Sequence, residues 1–291
     1  MWHRVAIISV FALAGAGCTN LSAVSDLSLT LSEASETWDD VAQDVVGSCE
    51  RRIVLSSTTT DCGIEQRATD GLVAANAVLD EYFEALGAAA NESNFNLDGG
   101  LGDVAGAVGN IPGVDSAQVE AASGLVQLLT SSATDRLRER TLRDLIEQGG
   151  PPAQDIVGMM DGLLADRLVR LLDDEQRTLD TAFTLWLNND RFANTGGIRA
   201  YCAEPKAGFF PDTADGTNYL MVEAYCNRAG TIAERREAIA EYRESLVTAR
   251  EALTELQSSR TKLKGTALAA RLFAIGSDLR KQVGAVQKAF G

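Results

Sequence analysis

Hydrophobic residues recur at steps of three and four along most of this chain of 291 residues, and this spacing restricts its fold more than any other feature. Such spacing places apolar side chains on one face of an α-helix. A strand requires strict alternation, which no stretch of useful length shows. Several patterns continue for about 25 residues or more, longer than the mean globular helix. The sequence therefore predicts an all-α protein, an elongated antiparallel bundle of about six helices with two disulfide-tied loops.

The helical patterns fall in a definite order along the chain. They occupy residues 27–45, 64–86, 119–145, 153–187 and 232–290. Asp115 or Ser116 is suited to cap the third helix, and the glycine-rich stretch 87–113 is predicted to be a loop or a short helix. The last pattern fits a hairpin that turns at 258–259 or 264–266, and it also fits one continuous helix.

The run Gly149-Gly150-Pro151-Pro152 interrupts the third and fourth patterns. Proline in a helix interior removes a hydrogen bond and clashes with the preceding turn, so this run is predicted to end the third helix. Two sub-bundles that meet at 149–152 are an alternative, but one helical domain over 27–291 is the preferred interpretation.

The first 18 residues have the layout of an export signal. His3 and Arg4 precede an apolar run, Val5 to Leu13, and small residues then lead to Cys18. The apolar run is too short for a membrane-spanning helix. Residues 1–17 are therefore predicted to be a cleaved signal peptide.

Ala16, Gly17 and Cys18 resemble the lipobox of bacterial lipoprotein signal peptides, with Gly15 where that family usually has leucine. The resemblance implies that Cys18 is lipidated on its thiol and on the amine freed by cleavage, which gives a stable membrane anchor. Thr19, rather than aspartate, implies delivery to the outer membrane. An ordinary signal peptide with a chance cysteine is the alternative. We expect a lipid-anchored protein of the bacterial cell envelope, with residues 18–26 as a tether.

Four further cysteines would enter an oxidising compartment, where an even number favours disulfides. Of the three possible pairings, Cys49–Cys62 and Cys202–Cys226 are preferred, because each pair flanks one polar segment between helical patterns. The segment between the first two is predicted to be a loop, 49–62, and 188–217 is predicted to be a second loop. A metal site is the alternative, but neither spacing is C-x-x-C.

Composition excludes several classes of function. The only histidine, His3, lies in the predicted signal peptide, which removes histidine-based catalysis and metal binding from the mature chain. No free thiol remains if both disulfides form, and no catalytic or nucleotide-binding motif is present. The net charge of −15 argues against nucleic acid as a partner. We expect no cofactor and no metal, and a non-catalytic role is favoured over an enzymatic one.

Two carboxylate pairs and one aromatic pair are the remaining candidate sites. Asp40 with Asp44, and Asp80 with Glu84 beside Glu81, each share a helical face. A solvated face is the preferred interpretation, and a carboxylate-dependent hydrolase the alternative. Phe209 and Phe210 form either an exposed contact site or a plug for the bundle end. The acidic segments 98–103 and 212–217 lack the spacing of calcium loops.

Charge is distributed unevenly. Residues 18–135 contain three basic and 19 acidic residues, whereas residues 256–291 contain seven basic residues and one aspartate. The preferred interpretation is that the last helix packs along the acidic N-terminal hairpin. A basic strip that faces anionic lipid or an acidic partner is the alternative.

Together these features predict a lipid-anchored, non-catalytic envelope protein that binds another envelope protein or serves as a structural element. The first alternative is a carrier of an apolar ligand held between helices near Met159 to Leu164.

Overall fold

The structure, a computed structural model, describes residues 19–57, 61–93, 95, 97, 101–133, 139–187, 195–205 and 216–290. Within them the chain forms ten α-helices and no β-strand, which confirms the predicted all-α class. The helices are α1 (Thr19–Ser56), α2 (Gly63–Ala90), α3 (Val104–Gly109), α4 (Ser116–Ser132), α5 (Glu139–Asp144), α6 (Gly150–Leu163), α7 (Val169–Leu187), α8 (Thr195–Ala203), α9 (Gly216–Ser258) and α10 (Thr266–Phe290).

Side-chain contacts fix the directions of the long helices. Ser32 and Asn76 bond across α1 and α2 to Asp80 and Asp39, so these two helices run antiparallel. Ion pairs join Arg236 of α9 to Asp173 of α7, and Arg243 of α9 to Asp161 of α6. Therefore α9 runs antiparallel to α6 and α7. The result is an antiparallel helical bundle with one continuous hydrophobic core.

Trp38 lies where α1, α2 and α9 meet, and its side chain is 1% exposed. Its ring packs edge-to-face against Phe83 of α2 and Tyr242 of α9, with centroid distances of 6.5 and 6.2 Å. Its Nε1 donates a hydrogen bond of 3.1 Å to the Ser245 hydroxyl, so the indole is buried without an unsatisfied donor.

The predicted helix end at 149–152 is wrong. A π-helical segment, Leu145–Gly149, connects α5 directly to α6, and a second one, Leu164–Leu168, connects α6 to α7. Because α6 begins at Gly150, Pro151 and Pro152 occupy its first turn, where a missing N–H costs little. Residues 139–187 therefore form one continuous helical rod.

Two other predicted boundaries need correction. Residues 19–26, predicted to be part of a tether, form the first turns of α1, where Val24 and Ser25 are buried. The predicted loop 49–62 is helical as far as Ser56, and Leu55 is buried. Packing against neighbouring helices extends α1 beyond the point where its polar composition predicts an end.

The predicted loop 188–217 is also wrong in part, because α8 occupies Thr195–Ala203 and α9 begins at Gly216. The connections before α4 and after α9 agree with the sequence patterns. Asp115 caps α4: its Oδ1 accepts from the Gln118 backbone N–H at 3.0 Å, and the Gln118 side chain accepts from the Asp115 N–H. The glycine-rich stretch contains the short helix α3, which approaches Gly71 of α2 so closely that a Cβ there would lie 2.7 Å from the backbone oxygen of Ala107. The C-terminal pattern is a hairpin with its turn at 259–265.

The last helix packs as predicted, but its ion pairs differ from expectation. Its apolar stripe is buried, and Gly276 faces Leu27 of acidic α1. Arg280 donates a hydrogen bond of 2.8 Å to the Thr30 hydroxyl of α1. Among the described residues, Arg271 of α10 forms an ion pair with Glu255 of α9, and Lys281 pairs with Asp278 within α10.

Both predicted disulfides are present. Cys49 of α1 bonds to Cys62, and Cys202 of α8 bonds to Cys226 of α9. Because α9 runs antiparallel to α1, the two bonds lie at the same end of the bundle, away from Thr19. We call this the disulfide end.

Candidate functional site: a groove at the disulfide end

A groove of about 420 Å³ lies between α1, α7 and α9 at the disulfide end. Its volume is in the range of small-molecule sites. Three arginines contribute to its wall, together with four aliphatic side chains, two glutamates and a threonine. The lining residues are Glu50, Arg51, Val54, Leu55, Glu175, Leu179, Arg228, Thr231, Ile232 and Arg235.

Helical spacing places each set of lining residues on one face of its helix. On α9, Arg228, Ile232 and Arg235 follow one another at steps of four and three. On α7, Glu175 and Leu179 are one turn apart. The groove is therefore built on helical surfaces rather than on loops, so its side chains are held by regular backbone.

A buried ion-pair network lies beneath the groove. Arg51 binds Glu175 in a bidentate manner, with Nε–Oε1 and Nη2–Oε2 distances of 2.7 and 3.0 Å, and its Nη1 donates to Asp44 Oδ1 at 2.8 Å. Ser48 donates a further hydrogen bond of 3.0 Å to Glu175 Oε2. Glu175 is 4% exposed and Asp44 7%. The network joins α1 to α7.

Two arginines of the groove keep donors that the described residues do not use. Arg235 Nε lies 3.7 Å from Asp44 Oδ1, beyond hydrogen-bond distance, and is buried with no hydrogen-bond partner among the described residues. Arg228 is exposed, and in the part of the chain that the structure describes it forms neither an ion pair nor a side-chain hydrogen bond. The groove therefore offers N–H donors to a ligand.

Burial and charge act in opposite directions on this network. Burial raises the pKa of Asp44, and this effect outweighs the hydrogen bond from Arg51 and the charges of Arg51 and Arg235, while Glu175 adds to the rise. Burial lowers the pKa of Arg51, but hydrogen bonds to Glu175 and Asp44 outweigh it, so the net shift is upward. The guanidinium is therefore held in its charged form.

The structure separates the carboxylates that the sequence pairs. Asp40 is exposed, whereas Asp44 belongs to the buried network. Asp80 accepts hydrogen bonds from Ser32 and Ser35 of α1, at 2.6 and 2.9 Å, while Glu84 is exposed. Neither pair lies in the groove; Asp44 and Asp80 instead join α1 to its neighbours.

Asp39, which no sequence motif marks, lies in surroundings that shift its pKa. Burial raises the pKa of its carboxyl, the hydrogen bond from Asn76 opposes the rise, and the charges of Asp40 and Asp80 add to it. The folded state therefore binds this proton more tightly than the unfolded state does. Stability is lowest above the folded pKa and recovers as the pH falls through it.

We therefore expect the free energy of unfolding to be larger at about pH 5 than at about pH 7.5. Urea denaturation at both pH values measures this difference. Asp39→Asn should reduce the difference, since the asparagine keeps an oxygen for Asn76 but does not titrate. Glu36→Gln, an exposed change on the same helix at a residue that does not contribute to the Asp39 shift, serves as control. An undiminished difference in the Asp39 variant would contradict the assignment.

The structure describes the other predicted sites only in part. Phe209, Phe210 and Cys18 lie outside the described residues, as do parts of the acidic segments 98–103 and 212–217. Met159, Met160 and Leu164 are buried in the hydrophobic core.

Two negative findings concern the described part of the chain alone. There, no group of three or more histidine, cysteine, aspartate or glutamate side chains is arranged to hold a metal ion. No helix in that part is both long and apolar enough to span a membrane.

Two charged residues in the sequence point to the groove, although no motif marks it. Arg51 is one of only three basic residues in 18–135. Glu175 interrupts the apolar face of the fourth predicted helix, between Leu171 and Leu179. A charge on an apolar face requires a partner, and an isolated cation in an acidic segment can provide it.

Comparison with protein-family models, with curated proteins and with solved structures found no match to this chain.

Proposed function

We propose that this protein is a lipid-anchored, non-catalytic component of the bacterial cell envelope that binds its ligand or partner at the disulfide end. The observation that carries the proposal is the course of α1. This helix is described from Thr19, the residue after the expected lipidation site, and continues to the groove residues Glu50, Arg51, Val54 and Leu55.

The length of α1 gives this arrangement a scale. The 32 residue steps from Thr19 to Arg51 correspond to about 48 Å of helix. Residues 19–26, predicted to be part of a tether, are the first turns of this helix. An anchor at Cys18 would therefore present the groove at a defined distance from its attachment point, which is useful for binding and unnecessary for catalysis.

The chemistry of the groove favours binding over reaction. Its most buried carboxylate, Glu175, accepts three hydrogen bonds from Arg51 and Ser48, and these engage both of its oxygens. A general acid or base must instead lie within hydrogen-bond reach of the substrate proton that it transfers. The expected partner is another envelope protein or a small molecule of that compartment.

The anchor is tested by mass spectrometry of the N-terminal peptide of the mature protein. We expect cleavage before Cys18 and acyl chains on that residue. Cys18→Ala should abolish both acylation and cleavage, and Asn20→Ala, two residues away, should affect neither. An unmodified Cys18 peptide from membranes would contradict the anchor.

Sorting provides a second test. By the rule of the family that the signal peptide resembles, Thr19→Asp should retain the lipidated protein in the inner membrane, and Thr19→Ser should leave it in the outer membrane. Density-gradient separation of the two membranes distinguishes these results. Equal distribution of the two variants would argue against outer-membrane delivery by this route.

A further inference from the structure

We infer that the groove binds a carboxylate monoanion with an apolar chain. The inference rests on the binding role proposed above and names the class of ligand. It starts from the composition of the groove wall, which combines guanidinium groups with aliphatic side chains.

Arg228 and Arg235 provide the binding site for the head group. They lie on the same face of α9, two turns apart. Arg228 is exposed, the Arg235 side chain is 20% exposed although its Nε is enclosed, and neither side chain makes a hydrogen bond to a described residue. A guanidinium presents a planar set of donors that matches a carboxylate, and such charge-assisted hydrogen bonds are about twice as strong as neutral ones. The head group is therefore an oxyanion.

The acidic residues of the wall limit the charge of that ligand. Glu175 is matched by Arg51, but Glu50 is exposed at the groove and makes no ion pair among the described residues. A second negative charge on the ligand would be repelled by Glu50. The groove thus favours a monoanion over a dianion such as a phosphate monoester.

The aliphatic side chains account for the rest of the ligand. Val54, Leu55, Leu179 and Ile232 line the groove, and Val54 is 70% exposed. Covering exposed apolar surface contributes about 25 cal/mol per Å². A ligand with an apolar chain beside its carboxylate would cover this surface and reach the arginines at the same time.

The ion-pair network orients Arg235 before a ligand binds. Asp44 lies between Arg51 and Arg235, at 2.8 Å from the first and 3.7 Å from the second. This position holds Arg235 near the groove without using its donors in a hydrogen bond. A guanidinium that is already oriented loses less conformational entropy when a ligand binds.

Octanoate is a suitable probe, with 1-octanol and octylammonium as chain-matched controls. Isothermal titration calorimetry uses the mature lipidated chain in lipid nanodiscs, with empty discs as blank. We expect octanoate to bind about tenfold more tightly than octanol, and octylammonium to bind most weakly. Equal affinity for octanoate and octanol would overturn the inference.

Variants locate the binding. Arg228→Gln should weaken octanoate binding about fivefold and leave octanol binding unchanged, because the exposed guanidinium contributes only through charge. Arg170→Gln removes an exposed arginine of α7 that does not line the groove, and should change neither affinity. Arg228 has no partner among the described residues, so its replacement leaves the fold intact. Undiminished octanoate binding by Arg228→Gln would also overturn the inference.

The outcomes separate this inference from the proposed function. Acylated Cys18 together with octanoate binding that is no tighter than octanol binding would refute the ligand class and leave the anchor standing. Selective octanoate binding by a chain whose Cys18 is unmodified would support the ligand class and refute the anchor.

Discussion

Glu175→Gln is expected to lower the free energy of unfolding by about 3 kcal/mol, near the lower limit for breaking a buried ion pair. Glu175 is almost fully buried and receives two hydrogen bonds from Arg51 and one from Ser48. The amide has nearly the same shape, but it leaves the Arg51 guanidinium partly unpaired in a poorly hydrated position. Urea denaturation, followed by circular dichroism, measures the loss.

The lower limit applies because Arg51 is not completely enclosed. Its side chain is 31% exposed and it keeps its hydrogen bond to Asp44 in the variant. Some of the lost interaction is therefore recovered from water and from Asp44. If the guanidinium were fully buried, loss of its partner would lower the free energy of unfolding by more.

Two further variants identify the cause of the loss. Glu36→Gln removes an exposed carboxylate from α1 and should change stability by less than about 0.5 kcal/mol. Arg51→Gln combined with Glu175→Gln should cost less than the sum of the single changes, because neither member of this pair is then left charged opposite a neutral partner. Additive losses would show that the two side chains do not interact, and would contradict the network.

The helices could be predicted from the sequence because their apolar periodicity is local information. The prediction failed where local rules met a specific exception. Pro151 and Pro152 disfavour a helix interior, but a π-helical segment before Gly150 places them in a first helical turn. Polar residues after Cys49 predict a loop, but tertiary packing continues α1 to Ser56.

The disulfides could be predicted because each joins cysteines close in sequence, 13 and 24 residues apart. The groove could not be predicted from the sequence in this way. Arg51 and Glu175 are separated by 124 residues, and their pairing depends on the register of α1 against α7. Periodicity shows which face of a helix is buried, but not how two faces slide past each other. Only the three-dimensional structure brings these charges together.

Removal of the Cys202–Cys226 disulfide, by Cys202→Ala with Cys226→Ala, is expected to lower the free energy of unfolding by about 3.5 kcal/mol, the chain-entropy value for a loop of this length. The folded state should change little. Ile198 anchors α8 in the core, and Arg199 bonds to Tyr225 and Asp180 without help from the disulfide. The loss therefore arises mainly in the unfolded chain, which gains conformations.

Urea denaturation of the native chain and of the variant that lacks Cys202–Cys226, both with Cys49–Cys62 oxidised, checks this prediction. Cys49→Ala with Cys62→Ala, which opens a shorter loop, should cost about 3 kcal/mol and serves as the matched comparison. Because Arg228 is held by α9, whose residues Tyr225 and Ile232 are buried, the Cys202–Cys226 variant should keep the octanoate affinity of the native chain. A loss of affinity in that variant alone would show that the disulfide shapes the groove as well as stabilising the fold.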